Sequence, residues 1–215
     1  MTHLGPYELN RVHLGDCIEL MKALPDKCVV TVTDAPYGVG IDYGTFEDTP
    51  ESLSMLINKF VPELIRVSSV ALVFTGTNNL FKWPEPTWTL CWHIPAAIGV
   101  CRWGFSSWTP LVAYGPDPYL KAGLGSRSDT ISMSPKSEKQ EHPCPKPQRV
   151  MRHFIERASI SKDDIIFDPF MGSGTTGVAA IQTGRRFLGF EIDTRWCDLA
   201  NKRIEAAKAQ GVLSL

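Results

Sequence analysis

The chain has 215 residues, a length typical of one domain with room for an insertion. Hydrophobic residues make up 43% of it and the net charge is −1, which supports a full core and excludes a strongly basic protein. No apolar run reaches the roughly 20 residues that cross a bilayer, and no signal-peptide pattern is present. We therefore expect a cytoplasmic protein.

Hydrophobic periodicity predicts strands and helices in alternation. Asp16 and Thr49 are predicted helix N-caps, and Pro62 is expected to kink the second helix. In chain order the predicted elements are strand 11–14, helix 18–24, strand 28–33, a helix from 49 with an apolar stripe (Leu53, Leu56, Ile57, Phe60, Leu64, Ile65), strand 70–74, strand 111–114, helix 148–159, strand 164–167, helix 175–181, strand 187–191 and a last helix capped by Thr194 and ended by Gly211.

Two stretches have little periodicity. Residues 76–110 hold five of the six tryptophans, which favour either core and sheet cover or base stacking. Residues 115–141 are rich in Gly, Ser, Pro, Lys and Arg and predict a long irregular segment. Between 115 and 153, seven Lys/Arg stand against four Asp/Glu, which suits either a solvated loop or a nucleic-acid contact.

The alternation predicts an α/β fold with a mostly parallel sheet and helices on both faces. Asp16, Asp34, Asp168 and Glu191 each follow a separate predicted strand. Ligands of such sheets bind at the carboxyl ends of the strands, so these four acids predict a site. Asp16 as a plain helix cap and Asp34 as a turn cap are the alternatives.

A glycine-rich turn joins strand 164–167 to helix 175–181, in the order typical of nucleotide binding. It lacks the Lys of a P-loop, and its spacing differs from the dinucleotide G-x-G-x-x-G. Glu191 ends the next strand, where a carboxylate would hold a ribose diol. A βαβ unit without a ligand is the alternative.

Four motifs resemble those of the amino-methylating DNA methyltransferases. Thr33-Asp34-Ala35-Pro36-Tyr37-Gly38 resembles their D-P-P-Y signature, and Phe170-x-Gly172-x-Gly174 resembles their F-x-G-x-G loop. His142-Pro143-Cys144-Pro145-Lys146-Pro147 is similar to their H-P-x-x-K-P stretch. The order, with the catalytic motif first, looks like the circularly permuted beta class of N6-adenine and N4-cytosine enzymes. The similarity covers roughly residues 11–37 and 142–205.

This resemblance implies a Rossmann-like fold that binds S-adenosylmethionine. Glu191 would bind the ribose hydroxyls, and Asp16 the adenine amine, with Cys17 beside it through its backbone. Lys146 would bind the cofactor carboxylate or a DNA phosphate. The residues implied around the methionine portion are Asp168, Phe170, Gly172, Gly174 and Thr175.

The chemistry of the D-P-P-Y signature suits methylation of an exocyclic amine, whose lone pair is delocalised into the base. Asp34 and the Ala35 carbonyl would accept from its N–H groups, Pro36 would stiffen the turn, and Tyr37 would stack on an extruded base. Positioning and electrostatics suffice for this transfer, so no metal is expected. The six cysteines have no C-x-x-C spacing, and His142 and Cys144 lie between prolines, which also argues against a metal site.

The expected product is N6-methyladenine in double-stranded DNA, because an acidic first residue in the signature leans to adenine. N4-methylcytosine is the first alternative. The family pattern has Pro where this chain has Ala35, so an impaired homologue that binds DNA or cofactor is the second. The neutral net charge motivates a third, an RNA or small-molecule methyltransferase.

We expect a single methyltransferase domain over residues 1–215, with target recognition around 115–141 and a contribution from 76–110. A short recognition sequence and a homodimer are further expectations. No nuclease motif is visible, which predicts a solitary enzyme or a restriction-modification partner encoded separately.

Overall fold

A computed structural model describes residues 1–95, 99–101, 103–134 and 146–212. The strands are β1 (His3–Leu4), β2 (Tyr7–Glu8), β3 (Arg11–Leu14), β4 (Val29–Asp34), β5 (Ser68–Phe74), β6 (Trp88–His93), β7 (Gly99–Cys101), β8 (Gly104–Ser106), β9 (Trp108–Tyr114), β10 (Thr130–Ser132), β11 (Ile165–Asp168) and β12 (Arg186–Glu191). The helices are α1 (Cys17–Met21), α2 (Pro50–Val67), α3 (Pro118–Lys121), α4 (Gln148–Ala158), α5 (Thr175–Gln182) and α6 (Thr194–Val212). None of the helices in these ranges is long and apolar enough to cross a membrane.

Eight of the described strands form one sheet in the order β10-β6-β9-β5-β4-β11-β12-β3. Strand β9 is antiparallel to both neighbours, and every other adjacent pair is parallel. The seven parallel strands therefore end at one edge, which we call the carboxyl edge. Their last residues are Leu14, Asp34, Phe74, His93, Ser132, Asp168 and Glu191.

Two apolar cores cover the two faces of the sheet. Helices α4, α5 and α6 pack on one face, and α1 and α2 pack on the other. Alternate residues of β5 supply both cores: Val70 and Leu72 face the first, and Ala71 and Val73 the second. The predicted α/β architecture with helices on both faces is confirmed.

The described helices differ from the prediction in detail. In α2, Ile65 is exposed while Val61 and Val67 are buried, so the predicted stripe is wrong at its end. This helix continues through Pro62, which removes the hydrogen bond to the carbonyl of Asn58, an exposed residue that water can reach. In α4, by contrast, all five predicted apolar residues are buried (Val150, Met151, Phe154, Ile155, Ala158).

The last helix corrects two expectations. Its N-cap is Asp193, whose Oδ1 accepts from the backbone N–H groups of Arg195 and Trp196, whereas Thr194 is already helical. The helix also runs past Gly211 to Val212. Local sequence therefore located the helix correctly but misplaced each end by one residue.

The segment 115–141 is not wholly irregular, because it contains α3 and β10, while residues 135–141 lie outside the described part. Strand β10 has three residues and pairs in parallel with β6. Its strand conformation depends on this backbone pairing and could not be predicted from three residues of local sequence. Of the five clustered tryptophans, Trp83 and Trp92 are buried, and Trp88, Trp103 and Trp108 are exposed. Trp83 and Trp92 therefore belong to the core, while base stacking stays a prediction for the exposed members.

Candidate functional site

The four acidic residues predicted to share a site lie together. Asp34, Asp168 and Glu191 end the adjacent strands β4, β11 and β12, and Asp16 follows β3, which is next in the sheet. All four line one cavity with a volume of about 410 Å³ at the carboxyl edge. The other predicted residues that line it are Cys17, Pro36, Lys146, Phe170, Gly172 and Thr175.

Three predicted residues do not line the cavity but support its wall. Ala35, which follows Asp34 in the chain, is buried in the second apolar core. Gly174 is in the left-handed region at φ 87°, and a Cβ there would lie 3.0 Å from the Cα of Ala200. The glycine turn thus requires Gly174 for its conformation and for the close approach of α6. Tyr37 contacts Asp34, as described below.

Asp168 supports the turn with both of its carboxylate oxygens. Oδ1 accepts from the hydroxyl of Thr33 and from the Phe170 N–H at 3.0 Å, and Oδ2 accepts from the hydroxyl of Thr176. Burial raises the pKa of Asp168 to about 6, although these hydrogen bonds act in the opposite direction. The Asp168 carboxylate therefore connects β4 and α5 to the glycine turn. The sequence predicted that Asp168 lies beside a ligand but did not predict this structural role.

Replacing Asp168 with asparagine is expected to change how stability depends on pH. Because the pKa of the folded state lies above the ordinary value of 3.8, Asp168 favours folding most below about pH 4, and this contribution is lost as pH rises through about 6. The difference in unfolding free energy, wild type minus Asp168→Asn, should therefore fall by up to about 3 kcal/mol between about pH 4 and pH 7.

Urea unfolding across that pH range measures this difference. Asp198→Asn, which removes a carboxylate from an exposed position of α6, is the matched control. A difference between wild type and Asp168→Asn that stays constant with pH would contradict the prediction.

Glu191 fastens the glycine turn to the end of β12. Its Oε2 accepts from the Gly172 N–H at 2.7 Å, and its Oε1 accepts from the Asp193 N–H at 2.9 Å. Burial raises its pKa. Each carboxylate oxygen has two lone-pair sites, so both oxygens can still accept a ligand hydroxyl at the cavity wall.

Two cavity residues near the helix starts differ in their hydrogen bonding. Within the described residues, the buried Oγ1 of Thr175 at the start of α5 has no hydrogen-bond partner. Asp16 caps α1 by accepting from the Ile18 N–H at 2.8 Å through Oδ1 and is otherwise exposed. Burial raises the pKa of the adjacent Cys17 thiol, which therefore stays protonated and is a poor nucleophile.

Asp34 is held by two donors from different parts of the chain. The Tyr37 hydroxyl donates to Oδ1 at 2.7 Å, and Lys146 Nζ donates to Oδ2 at 2.8 Å. Lys146 Nζ also lies 4.9 Å from the centroid of the Tyr37 ring and 5.5 Å from that of Phe74. The ion pair is largely buried, with side-chain exposures of 13% for Lys146 and 24% for Asp34.

Sequence reasoning missed several residues in the loop 38–48, which follows the Asp34-Ala35-Pro36-Tyr37 motif, and in α2. Buried Asp48 accepts from the N–H groups of Gly38, Val39 and Ile41 and so closes the loop 38–48. Tyr43, Thr45 and Phe46 of this loop line the cavity, as do Met55 and Lys59 of α2. In the sequence, an aspartate ten residues after a glycine does not predict this contact. The role of Asp48 is apparent only in the folded loop, where it accepts from three backbone N–H groups.

Residues 142–145 of the H-P-x-x-K-P stretch lie outside the described ranges. Among the residues inside them, no group of three or more His, Cys, Asp or Glu side chains could hold a metal ion. The cysteines Cys17, Cys28, Cys91 and Cys197 are free thiols. The side chains that line the described cavity include carboxylates, hydroxyls and lysines.

Two solved structures share the fold. The PvuII DNA methyltransferase (cytosine-N4-specific) superposes with a TM-score of 0.66 at 14% identity and covers 91% of this chain and 90% of that one. The protein TTHA0409 from Thermus thermophilus, solved in complex with S-adenosyl-L-methionine, gives a TM-score of 0.63 at 21% identity; the match covers 92% of this chain and 93% of that one.

Relatives by sequence match over shorter stretches. The type II methyltransferase M2.DpnII of Streptococcus pneumoniae is 44% identical over 79 residues, which is 36% of this chain and 29% of the relative. The DNA adenine methyltransferase YhdJ of Escherichia coli is 40% identical over 70 residues, or 33% and 24%. The matched segments thus span less than a third of the length of these curated relatives.

The family comparison covers more of the chain. Residues 74–202, more than half of the sequence, match the family of DNA methylases. The match includes the glycine turn, Glu191 and Lys146, three parts of the cavity wall described above. The resemblance drawn from the motifs is confirmed: this chain belongs to the DNA methylase family.

Proposed function

We propose that the protein transfers a methyl group from S-adenosylmethionine to the N6 amine of adenine in double-stranded DNA. The main observation in support of this proposal is that Asp34 lines the same cavity as the glycine turn and Glu191. Membership of the DNA methylase family supports it, and the name of YhdJ as an adenine methyltransferase favours adenine.

The cavity suits the cofactor in charge and in hydrogen bonding. Four carboxylates and two lysines line it, an excess of negative charge that favours a sulfonium. The buried hydroxyl of Thr175 needs a partner that a bound ligand can provide. The residues proposed to hold the methionine portion are Asp168, Phe170, Gly172, Gly174 and Thr175, with Glu191 for the ribose, and Asp16 and Cys17 for the adenine.

When bound, S-adenosylmethionine supplies an electrophilic methyl group. The protein's part is to present the amine lone pair. Asp34 and the Ala35 carbonyl accept from the two N–H groups of the amine, which favours a pyramidal nitrogen with its lone pair free for attack. The hydrogen bond to Asp34 also provides a path for the proton that the amine must lose. Pro36 restricts Ala35, and Tyr37 offers a ring to an extruded base.

Lys146 makes a contact that the motif resemblance does not include, because its ammonium group donates to Asp34. An ammonium group has three donors, so contact with a cofactor carboxylate or a DNA phosphate stays a prediction. With Tyr37 on the other oxygen, Lys146 fixes the orientation of the carboxylate, and each oxygen keeps a lone pair for the amine. Lys59 also lines the cavity and is a further candidate for the cofactor carboxylate.

Methyl transfer to unmethylated double-stranded DNA, followed by nucleoside mass spectrometry, tests the proposal. N6-methyladenine is the expected product. N4-methylcytosine would keep the chemistry and overturn the target atom. Transfer to RNA alone would favour the third alternative, and an absence of any product with cofactor binding intact would favour an impaired homologue.

The impaired homologue is the second candidate function, because Ala35 replaces the family proline. Ala35 precedes Pro36, which already restricts it to extended conformations, so proline should fit at position 35. We expect Ala35→Pro to raise kcat about two- to fivefold, since a stiffer turn loses less conformational entropy when it positions the amine. Single-turnover transfer compares the proteins, with Ala35→Gly, which loosens the turn and should slow transfer, as the matched control. A slower Ala35→Pro enzyme would show that this chain requires alanine.

We also propose association into a homodimer, a cytoplasmic location, and either a solitary enzyme or one with a separately encoded nuclease partner. Sedimentation of the purified protein with and without DNA tests the first. The name type II methyltransferase of the pneumococcal relative supports the last.

A further inference from the structure

A small β-hairpin presents aromatic side chains to solvent. Strands β7 and β8 pair antiparallel as a separate two-stranded ribbon between β6 and β9. Trp103 is 98% exposed and Phe105 is 76% exposed. Two large aromatic side chains exposed on one ribbon add little to the stability of the fold and are typical of an interaction surface.

The topology places this hairpin at the carboxyl edge. Strand β6 ends at that edge with His93, and β9 begins there, because His93 is paired with Trp108. The hairpin therefore leaves and rejoins the sheet at the edge that holds Asp34. Trp108, itself 38% exposed, adds a third aromatic side chain at the same edge.

Much of the segment expected to recognise the target, residues 115–129, does not begin at the carboxyl edge. Because β9 is antiparallel, Tyr114 lies at the opposite edge, and residues 115–129 begin there. Arg157 of α4 pairs with Asp117, and the Tyr119 hydroxyl donates to the Glu156 carbonyl. Arg127 lies over the Tyr119 ring at 4.9 Å. These contacts fasten residues 115–129 to the end of α4, away from the cavity.

We propose that the β7–β8 hairpin contacts duplex DNA and that Trp103 stacks on its bases beside the extruded target. This inference rests on the proposed function. Asp34 lies inside a cavity, so the target base must leave the helix and open a gap in the base stack. An exposed apolar ring can fill such a gap. Residues 94–107 include no acidic residue, so they do not repel the phosphates.

Fluorescence anisotropy of the full chain with a labelled duplex, intact or with one abasic site, tests the proposal. Trp103→Ala should weaken binding about tenfold, whereas Trp103→Phe, which keeps a ring, should stay within about threefold. Trp88→Ala is the matched control: Trp88 is a 63% exposed tryptophan at the opposite edge and should bind within about twofold of wild type.

Two further readouts separate stacking from a general loss of structure. The slope of log affinity against log salt should stay the same in Trp103→Ala, because no phosphate contact is removed. Wild type should prefer the abasic duplex to the intact one, and Trp103→Ala should lose this preference. Unchanged affinity in Trp103→Ala would overturn the proposal, as would dissociation of a dimer on substitution, which would assign the hairpin to a second copy.

Failure of the proposed function is distinguishable from failure of this inference. A wild type that binds DNA but transfers no methyl group would overturn the activity, while the effect of Trp103→Ala on binding would still decide the hairpin's role. A wild type that binds neither duplex would overturn both.

Discussion

Asp34→Ala is expected to lower kcat for methyl transfer about a thousandfold, the range typical of losing a group that handles a proton or charge in the transition state. Asp34 ends β4 on the cavity and is oriented by Tyr37 and Lys146. Affinity for S-adenosylmethionine should change less than about threefold, because the residues proposed to hold the cofactor are elsewhere on the wall. Single-turnover transfer and calorimetric titration measure the two quantities.

Two conservative variants sharpen this test. Asp34→Asn keeps an acceptor but removes the charge, so it should retain more activity than Asp34→Ala. Tyr37→Phe removes one orienting hydrogen bond and should lower kcat about tenfold with little effect on cofactor affinity. A fall in cofactor affinity equal to the fall in kcat would show that Asp34 binds the cofactor instead of the target amine.

Glu191→Ala is expected to raise the Kd for S-adenosylmethionine about a hundredfold. The substitution removes the proposed acceptor for the ribose hydroxyls and leaves the N–H groups of Gly172 and Asp193 without their acceptor. Loss of the acceptor for the ribose hydroxyls costs about 1–3 kcal/mol of binding free energy, and each 1.4 kcal/mol is a factor of ten in affinity. Isothermal titration of the purified protein with the cofactor measures the change.

The control for this variant is Glu205→Ala on α6, an exposed residue that pairs with Lys208 and should leave the Kd unchanged. Glu191→Gln keeps one acceptor oxygen and should lie between wild type and Glu191→Ala. Circular dichroism shows whether the variant is folded. A folded Glu191→Ala protein that binds the cofactor as tightly as wild type would exclude Glu191 from the cofactor site.

Local sequence patterns were enough to predict those features that depend only on residues close together in the chain. The apolar run 165–167, the two glycines and the helix from Thr175 are contiguous, so their strand-turn-helix order is visible without a structure. The buried face of α4 follows from helical spacing alone. Acids at strand ends were expected to meet because parallel strands end at one edge.

Contacts between distant segments were not predictable in this way. Thr33 donates to Asp168, which is 135 positions away, and Lys146 donates to Asp34 across 112 positions. Nothing near Lys146 in the sequence distinguishes a partner of Asp34 from a ligand of the cofactor carboxylate. The pairing depends on the sheet order that brings the end of β4 beside the start of α4.

The sequence by itself determined the family, the parallel α/β architecture and the acids of the cavity, because each rests on contiguous motifs or on short-range periodicity. Only the tertiary structure decided that Asp168 supports the turn, that Lys146 orients Asp34, and that the β7–β8 hairpin shares an edge with the cavity while residues 115–129 do not. The physical reason is that each of these features depends on segments that are distant in the sequence. For the hairpin, the deciding fact is that β9 is antiparallel to its neighbours β5 and β6.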